Sequence, residues 1–186
     1  VKSSETVKIA PYKADLLISS VASENKYNYD FSNGFDTRYV GRYNIYYTYT
    51  DKAGHVTNKT MLLVMTDTTA PTIEIPGTAG LNKNEYIVEA GTHVTVEEIM
   101  ATVTDNVDPT TKIKPYRADL LIGTASENTY NYDFTNGFNT NYTKGRYNLY
   151  YEYTDKAGHK TTAGMMIMIK DTTAPTLRFT KAGSSL

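Results

Sequence analysis

The chain contains no cysteine and no tryptophan among its 186 residues, and neither sign of charge dominates, since Lys and Arg number 19 against 20 for Asp and Glu. Without cysteine there is no disulfide framework, thiolate metal site or cysteine nucleophile. Balanced charge gives no electrostatic reason to expect nucleic acid as a partner. No apolar run approaches the ~20 residues that span a bilayer, so we expect no membrane insertion. With 40% apolar residues, the chain can instead bury the core of one or two small domains.

An internal duplication dominates what is present. When the chain is aligned with itself at an offset of about 104 residues, roughly two-thirds of the positions in 8–75 match those in 112–179. The register slips by one residue at 19–21 and again at Val40, so the offset is 103 between these points. KIAPYKADLLI returns as KIKPYRADLLI, and GRYNIYYTYTDKAGH returns as GRYNLYYEYTDKAGH. The repeat is as long as a whole domain, which predicts a tandem array of domains with separate cores rather than a solenoid of short repeats.

Alternation with a period of two predicts β-strands in each copy. Tyr43, Ile45 and Tyr47 alternate with other residues, and the Asp-Lys-Ala-Gly turns at 51–54 and 155–158 predict hairpins that end in apolar strands. We predict those apolar strands at 61–65 and 165–169, further strands at 15–18, 27–31, 73–75, 86–88, 93–96, 101–104, 119–122 and 130–134, and one helical turn at 96–100. Short strands separated by turns predict an all-β fold, a β-sandwich.

Four motifs occur in a fixed order along the chain. They are the linker DTTAPT, the stretch VEAGTHVT at 88–95, ATVTDNVD at 101–108, and the series G-x-Y-x-[IL]-x-Y-x-Y-x-D-K-A-G. This series covers nearly the whole chain and resembles the bacterial surface immunoglobulin-like family, whose domains occur in pesticidal crystal proteins and Gram-positive surface proteins. His55 and His159 stand where the family's turn usually has Asn. The resemblance implies tandem Ig-like β-sandwiches that act as spacers, stalks, fibre subunits or adhesin arms, secreted or at the cell surface.

The motif order divides the chain into three parts. Residues 1–71 form a partial repeat without its opening strands, residues 72–174 a complete repeat, and residues 175–186 the start of a further repeat or a donor strand. Either the chain is a piece of a longer array, or the open first repeat accepts a strand from another copy in a head-to-tail fibre. The second interpretation fills only part of the gap, because the tail supplies a single strand and the gap spans several.

The sequence offers little for catalysis. Of the three histidines, His55 and His159 occupy equivalent turns, where a polar turn residue is the ordinary explanation. No Gly-x-Ser-x-Gly, His-Glu-x-x-His or glycine-rich phosphate loop is present. We therefore expect a protein that is not an enzyme.

The phrase YNYDF, at 27–31 and 130–134, carries the strongest candidates for contact with a ligand or another subunit. Aromatic residues on one strand face most often fill a core, and buried tyrosines need a partner for their oxygen, which favours a position near the sandwich edge. The phenylalanines after the two Asn-Gly turns, with outward-facing tyrosines of the long strands, are predicted to form an exposed patch for other copies, for host or cell-wall glycan, or for protein. The candidate contact residues are Tyr27, Tyr29, Phe35, Tyr46, Tyr130, Tyr132, Phe138 and Tyr150.

Calcium is the one cofactor that the sequence makes possible. Asp67, Asp105, Asp108 and Asp171 lie where repeats join, and calcium binds six to eight oxygens. The alternative is that these aspartates simply form turns and cap backbone groups. Lys-to-Asn or Lys-to-Asp isopeptide bonds, found in some Gram-positive surface sandwiches, are another way to stiffen the fold, but the sequence selects no residue pair.

Overall fold

The computed structural model describes residues 6–77, 85–141 and 144–179. The chain divides into two compact units: unit 1 is Val1–Thr69 with Asp105–Pro109, and unit 2 is Ala70–Thr104 with Thr110–Leu186. Residues 1–5 and 180–186, which belong to the predicted first and last parts, lie outside the described residues. No helix in the described ranges is long and apolar enough to cross a membrane.

Unit 1 is built on an antiparallel sheet in the order β1-β2-β3. Its strands are β1 (Lys13–Leu17), β2 (Gly41–Thr50) and β3 (Val56–Met65), and a 3-10 turn lies at Ala22–Glu24. The predicted hairpin at 51–54 is confirmed, because it joins β2 to β3 with Thr50 opposite Val56. One sheet face carries the buried core residues Ala14, Leu16, Tyr43 and Ile45.

Unit 2 contains two facing sheets and a short strand pair. The larger sheet has the order β5-β12-β11-β9, the smaller has the order β4-β7-β8, and β6 pairs with β10. Ile99 and Ala101 on one side and Leu149 and Ile167 on the other bury a common core. Its strands are β4 (Thr72–Glu74), β5 (Glu85–Glu89), β6 (His93–Val94), β7 (Ala101–Thr104), β8 (Thr111–Ile113), β9 (Arg117–Leu121), β10 (Phe138–Asn139), β11 (Lys144–Thr154) and β12 (Lys160–Lys170).

The strands β9, β11 and β12 repeat the arrangement of β1, β2 and β3. Leu120 lies opposite Tyr147 in unit 2, as Leu16 lies opposite Tyr43 in unit 1. All four side chains are buried. The repeated sequences KADLL and RADLL therefore form edge strands with the same register and the same buried face.

Two of the predicted strands are wrong. Residues 27–31 and 130–134 form no strand, because Asn28 and Asn131 each have a left-handed backbone with φ of 55°. A left-handed residue breaks the alternation that a strand requires. The helical turn predicted at 96–100 is confirmed as a 3-10 turn at Glu97–Ile99, whereas β8 and β10 were not predicted at all.

Candidate functional site: the aromatic loop and its buried aspartate

Each unit anchors its YNYDF segment on a buried aspartate. We call residues 26–35 of unit 1 and 129–138 of unit 2 the aromatic loops. In unit 1, Asp15 lies in β1 and is 6% exposed. Its Oδ1 accepts the main-chain N–H of Asn28 at 3.0 Å, and its Oδ2 accepts the Tyr46 hydroxyl at 3.0 Å. Lys13 Nζ lies 3.5 Å from Oδ1. One carboxylate thus joins the loop to both β1 and β2.

Unit 2 repeats this anchor with arginine in place of lysine. Asp119 Oδ1 accepts the N–H of Asn131 at 2.9 Å, and Oδ2 accepts the Tyr150 hydroxyl at 3.2 Å. Arg117 donates to both carboxylate oxygens, through Nε at 3.1 Å and Nη2 at 2.9 Å. Its guanidinium also lies over the Tyr150 ring, 5.1 Å from the ring centroid. Paired donors of this kind hold a planar carboxylate in one orientation.

The anchoring groups keep both carboxylates ionised. Burial by itself raises the pKa of Asp15 and of Asp119, but the hydrogen bonds and the nearby cation outweigh it, so both pKa values are lowered. The same contact raises the pKa of Tyr46, because the hydroxyl donates its proton toward Asp15. The anchor is therefore a charged acceptor surrounded by donors at neutral pH.

The aromatic loop follows the outer edge of the first strand. Lys26 and Leu16 exchange two main-chain hydrogen bonds, at 2.7 and 2.8 Å. Beyond them, Asn28 turns its N–H to the Asp15 side chain, and the N–H of Tyr29 returns to the carbonyl of Ala14. The loop thus satisfies edge groups that a strand would otherwise leave unpaired.

The rings beyond the anchor pack into the core. In unit 1 the Phe35 ring contacts Tyr43 at a centroid distance of 4.9 Å, and Tyr29 contacts the same ring at 5.9 Å. In unit 2 the rings of Phe138 and Tyr147 lie 4.2 Å apart. Edge-to-face and tilted ring pairs of this kind stabilise a core beyond their buried area. The aromatic loop is in large part a core element.

The predicted exposed patch is wrong for its central residue, because Phe138 is completely buried in β10. Phe35 and Tyr132 pack against the cores of their units, and Tyr46 and Tyr150 are half-buried with their hydroxyls on the anchoring aspartates. The candidates that remain exposed are Tyr27, at 58%, and Tyr130, at 56%. Tyr12 and Tyr116, which are not among the predicted contact residues, are each 61% exposed.

The hairpin turns use histidine as a partner for aspartate. His159 donates its main-chain N–H to Asp155 Oδ1 at 2.8 Å, and its Nδ1 lies 2.9 Å from Oδ2. His55 and Asp51 make the same two contacts in unit 1, at 2.8 and 2.9 Å. The His55 side chain is the largest cause of the lowered pKa of Asp51. Both histidines therefore complete a turn, as the polar-turn interpretation expects.

Three of the four predicted calcium ligands, Asp67, Asp105 and Asp171, accept main-chain N–H groups of their own turns. The Oδ1 atoms of Asp67 and Asp171 each accept the main-chain N–H two residues further on, at 3.0 and 3.2 Å. Asp105 Oδ1 accepts the N–H of Val107 at 2.8 Å and that of Asp108 at 2.9 Å. Asp105 Oδ2 is buried and has no hydrogen-bond partner among the described residues. Of the four aspartates, only Asp105 and Asp108 share a loop.

Comparison with known families gives one match. The sequence model of a family described as a bacterial Ig-like domain (group 3) matches residues 25–131, which is more than half of the chain. The match starts just before the first aromatic loop and ends within the second, so it spans about one period of the repeat. A search of curated proteins finds no match.

Proposed function

Because this chain belongs to the bacterial Ig-like domain family (group 3), we propose that it is a structural repeat of a bacterial surface protein. Its role is that of a spacer, stalk or fibre subunit, secreted or displayed at the cell surface, with neighbouring repeats and other copies as partners. It is not an enzyme in this proposal. The duplicated three-stranded arrangement, with Leu16 and Leu120 in the same register, supports a repeated mechanical element. Fold alone assigns no ligand to it.

The observation that carries the mechanical role is the parallel pairing of β5 with β12. The two strands align over five residue pairs, from Glu85 opposite Met166 to Glu89 opposite Lys170. Tension along the chain enters unit 2 at β4, which pairs with β7 over only three residue pairs. Once that short pairing releases, the tension acts on the N-terminal end of β5 and on the C-terminal end of β12. Because the strands are parallel, this tension shears the whole ladder at once instead of opening one hydrogen bond after another. Such loading suits a domain that carries tension.

Single-molecule stretching tests this role on the full chain. Since the chain has no cysteine, single cysteines placed before β4 and after β12 give unambiguous attachment points. We expect unit 2 to unfold in one step at high force in this geometry. A matched attachment at the exposed Ala157, in the turn before β12, pulls the two strands apart from one end. We expect a several-fold lower unfolding force there.

The two geometries use the same folded protein, so stability is held constant between them. Equal unfolding forces in the two geometries would contradict the proposal, because the parallel pair would then bear no shear load. A force–extension trace in which the force falls gradually, without a distinct unfolding step for unit 2, would also contradict it.

A second candidate function is that of an adhesin or carbohydrate-binding module, and one feature of unit 1 favours it. A cleft of about 650 Å³ lies between residues 10–13 and 28–32. The exposed ring of Tyr12 and the side chains of Asn28 and Asp30 line it. An aromatic face beside amide and carboxylate groups suits the apolar face and hydroxyls of a sugar.

A glycan array screened with the full chain tests this candidate. We expect any bound glycan to be lost in Tyr12→Ala and kept in Tyr116→Ala, which removes an equally exposed tyrosine from unit 2. Binding that both variants retain, or an array without a bound glycan, would contradict a sugar site in this cleft.

A further inference from the structure

Two sequence motifs meet at one end of unit 2. The stretch VEAGTHVT at 88–95 contributes Glu89, the last residue of β5, and the linker motif DTT at 171–173 follows directly after β12. The two strands end side by side, because Glu89 lies opposite Lys170 in their parallel register. The linker therefore begins next to the Glu89 side chain, although 83 positions of sequence separate Glu89 from Thr172.

The Glu89 carboxylate accepts four hydrogen bonds from the linker. Its Oε1 accepts the main-chain N–H of Thr172 at 2.9 Å and that of Thr173 at 3.2 Å. The Thr173 hydroxyl also donates to Oε1, at 2.9 Å, and the Thr172 hydroxyl donates to Oε2 at 2.5 Å. These donors lower the pKa of Glu89, with the Thr172 hydroxyl as the largest cause. An ionised carboxylate thus binds two successive residues of the linker to β5.

The main chain of Glu89 is itself held in place. Its carbonyl accepts the hydroxyl of Thr92 at 2.8 Å and that of Thr140 at 3.0 Å. Thr140 is completely buried, and its main-chain N–H donates to the carbonyl of Thr92 at 2.9 Å. The N–H of Ala90 donates to the carbonyl of Lys170 at 2.8 Å. The end of β5 is therefore ordered independently of the linker, so the carboxylate is already positioned for its four donors.

The residues after the two threonines have few torsions left to vary. Asp171 Oδ1 accepts the N–H of Thr173 at 3.2 Å, which closes a small turn at the start of the linker. Pro175 fixes its own φ and restricts Ala174 before it to an extended backbone. A direction that is set at Thr173 is therefore carried on to Thr176 with few additional rotations.

We propose that Glu89 is a clamp that holds the linker and fixes the direction in which the chain leaves unit 2. We call Glu89, Thr172 and Thr173 the linker clamp. The clamp deepens the proposed function and rests on it, because a fixed exit direction is useful in a domain that acts as a spacer. It also connects the linker to two strands, since the main chain joins the linker to β12 and the Glu89 carboxylate joins it to β5.

The clamp should act locally rather than on the stability of the whole unit. Glu89 is partly exposed, and Thr172 and Thr173 are exposed. Because water competes for these groups, each hydrogen bond by itself contributes little to the unfolding free energy. Four bonds to one rigidly held carboxylate act together, however, so their effect falls on the order of the linker.

Site-directed spin labelling of the full chain tests the clamp. The chain has no cysteine, so Thr176→Cys carries a nitroxide just beyond the clamp. Thr162→Cys, at an exposed position of β12, carries a reference label in a separate sample. We expect Glu89→Ala to shorten the rotational correlation time of the label at 176 several-fold and to leave the reference label unchanged. NMR should show several-fold faster exchange of the Thr172 and Thr173 amide protons with water.

Two further sets of substitutions make the test specific. Glu74→Ala, at an exposed position of β4, is the matched control and should change neither measurement. Thr172→Val with Thr173→Val keeps the branched side chains, removes both hydroxyls and leaves β5 intact, so it tests the clamp even if Glu89→Ala fails to fold. We expect this double variant to loosen the label at 176. Adding Glu89→Ala to it should then have a smaller effect than in the native chain.

The proposal is overturned if Glu89→Ala and the double valine variant both leave the label at 176 and the linker amides as they are in the native chain. It is also overturned if Glu74→Ala loosens the label as much as Glu89→Ala does, since the loss of any negative charge would then be the cause. Fully additive effects of Glu89→Ala and the two valines would overturn it as well. None of these measurements applies force, so the clamp and the stretching result can fail separately.

Discussion

The main-chain N–H of Asn131 donates to Oδ1 of Asp119 at 2.9 Å, although Asn131 has a left-handed backbone and Asp119 lies in the middle of β9. Asp119→Ala removes this acceptor and leaves Arg117 and the loop N–H without their partner. We expect a loss of about 2–3 kcal/mol in the unfolding free energy of unit 2, since hydrogen bonds to a buried charge are strong. Urea unfolding followed by hydrogen exchange in β11 measures it. Asp133→Ala, at an exposed position, is the matched control and should have a much smaller effect.

Acid should weaken the same anchor. The folded-state pKa values of Asp15 and Asp119 are lowered. Their contribution to the unfolding free energy is therefore fully present above the pKa of an aspartate in the unfolded chain, about 3.9. It is lost as the pH falls through the lower folded-state values. We expect the difference in unfolding free energy between the native chain and Asp119→Ala to be constant from pH 7 to about pH 5 and to shrink below pH 4. A difference that grows on acidification would contradict this assignment.

The glycines of the two Asn-Gly turns should differ in their tolerance of a side chain. Gly137 has φ of 83°, and a Cβ there would lie 2.2 Å from the carbonyl oxygen of Val94. Gly34 has φ of 87° with no atom within 4 Å of a Cβ. We expect Gly34→Ala to lower the unfolding free energy by about 1–2 kcal/mol, because alanine is strained in this left-handed backbone conformation. Gly137→Ala should cost more, because it also displaces β6, and thermal unfolding of both variants measures the difference.

The hydroxyl of Tyr151 should contribute more to the unfolding free energy than the hydroxyl of Tyr47, which occupies the equivalent position of unit 1. Tyr151→Phe leaves the buried carbonyl of Ile99 without its hydrogen-bond donor. We expect this to lower the unfolding free energy by about 1–2 kcal/mol. Tyr47→Phe removes a hydroxyl with no hydrogen bond among the described residues and should be nearly neutral. Equal effects in chemical unfolding would show that the Tyr151 contact contributes nothing specific.

Calcium binding at the predicted aspartates can be measured directly through its effect on stability. Asp105→Ala removes the acceptor for two main-chain N–H groups and should cost about 1 kcal/mol with or without calcium. We expect excess chelator to leave the melting temperature of the native chain unchanged, because a turn acceptor needs no ion. A melting temperature that rises with calcium in the native chain and not in Asp105→Ala would instead establish a calcium site.

The sequence predicts the long strands well because their alternation reflects a buried face. Tyr43 and Ile45 alternate with other residues in β2, and the turn that follows has the residues a tight hairpin requires. The family resemblance is confirmed at the level of the bacterial Ig-like domain. These features depend on local pattern, which a single sequence carries.

The aromatic loop could not be predicted in the same way, because its conformation depends on a distant side chain. Asp15 and Asp119 belong to a residue type that is seldom buried, so nothing in the pattern marks them as anchors. The alternation in YNYDF is typical of a strand, yet Asn28 turns its N–H to Asp15, thirteen positions away. The one local signal is asparagine, which tolerates a left-handed backbone better than most residues.

The path of the aromatic loop along β1 and β9 has a consequence for how such chains avoid misfolding. Domains of similar sequence in one chain are prone to exchange strands during folding. Because Lys26 and Thr129 already occupy the hydrogen-bonding groups of Leu16 and Leu120, those edges are closed to foreign strands. The loop therefore removes hydrogen-bonding groups at one sheet edge of each unit that an added strand would need.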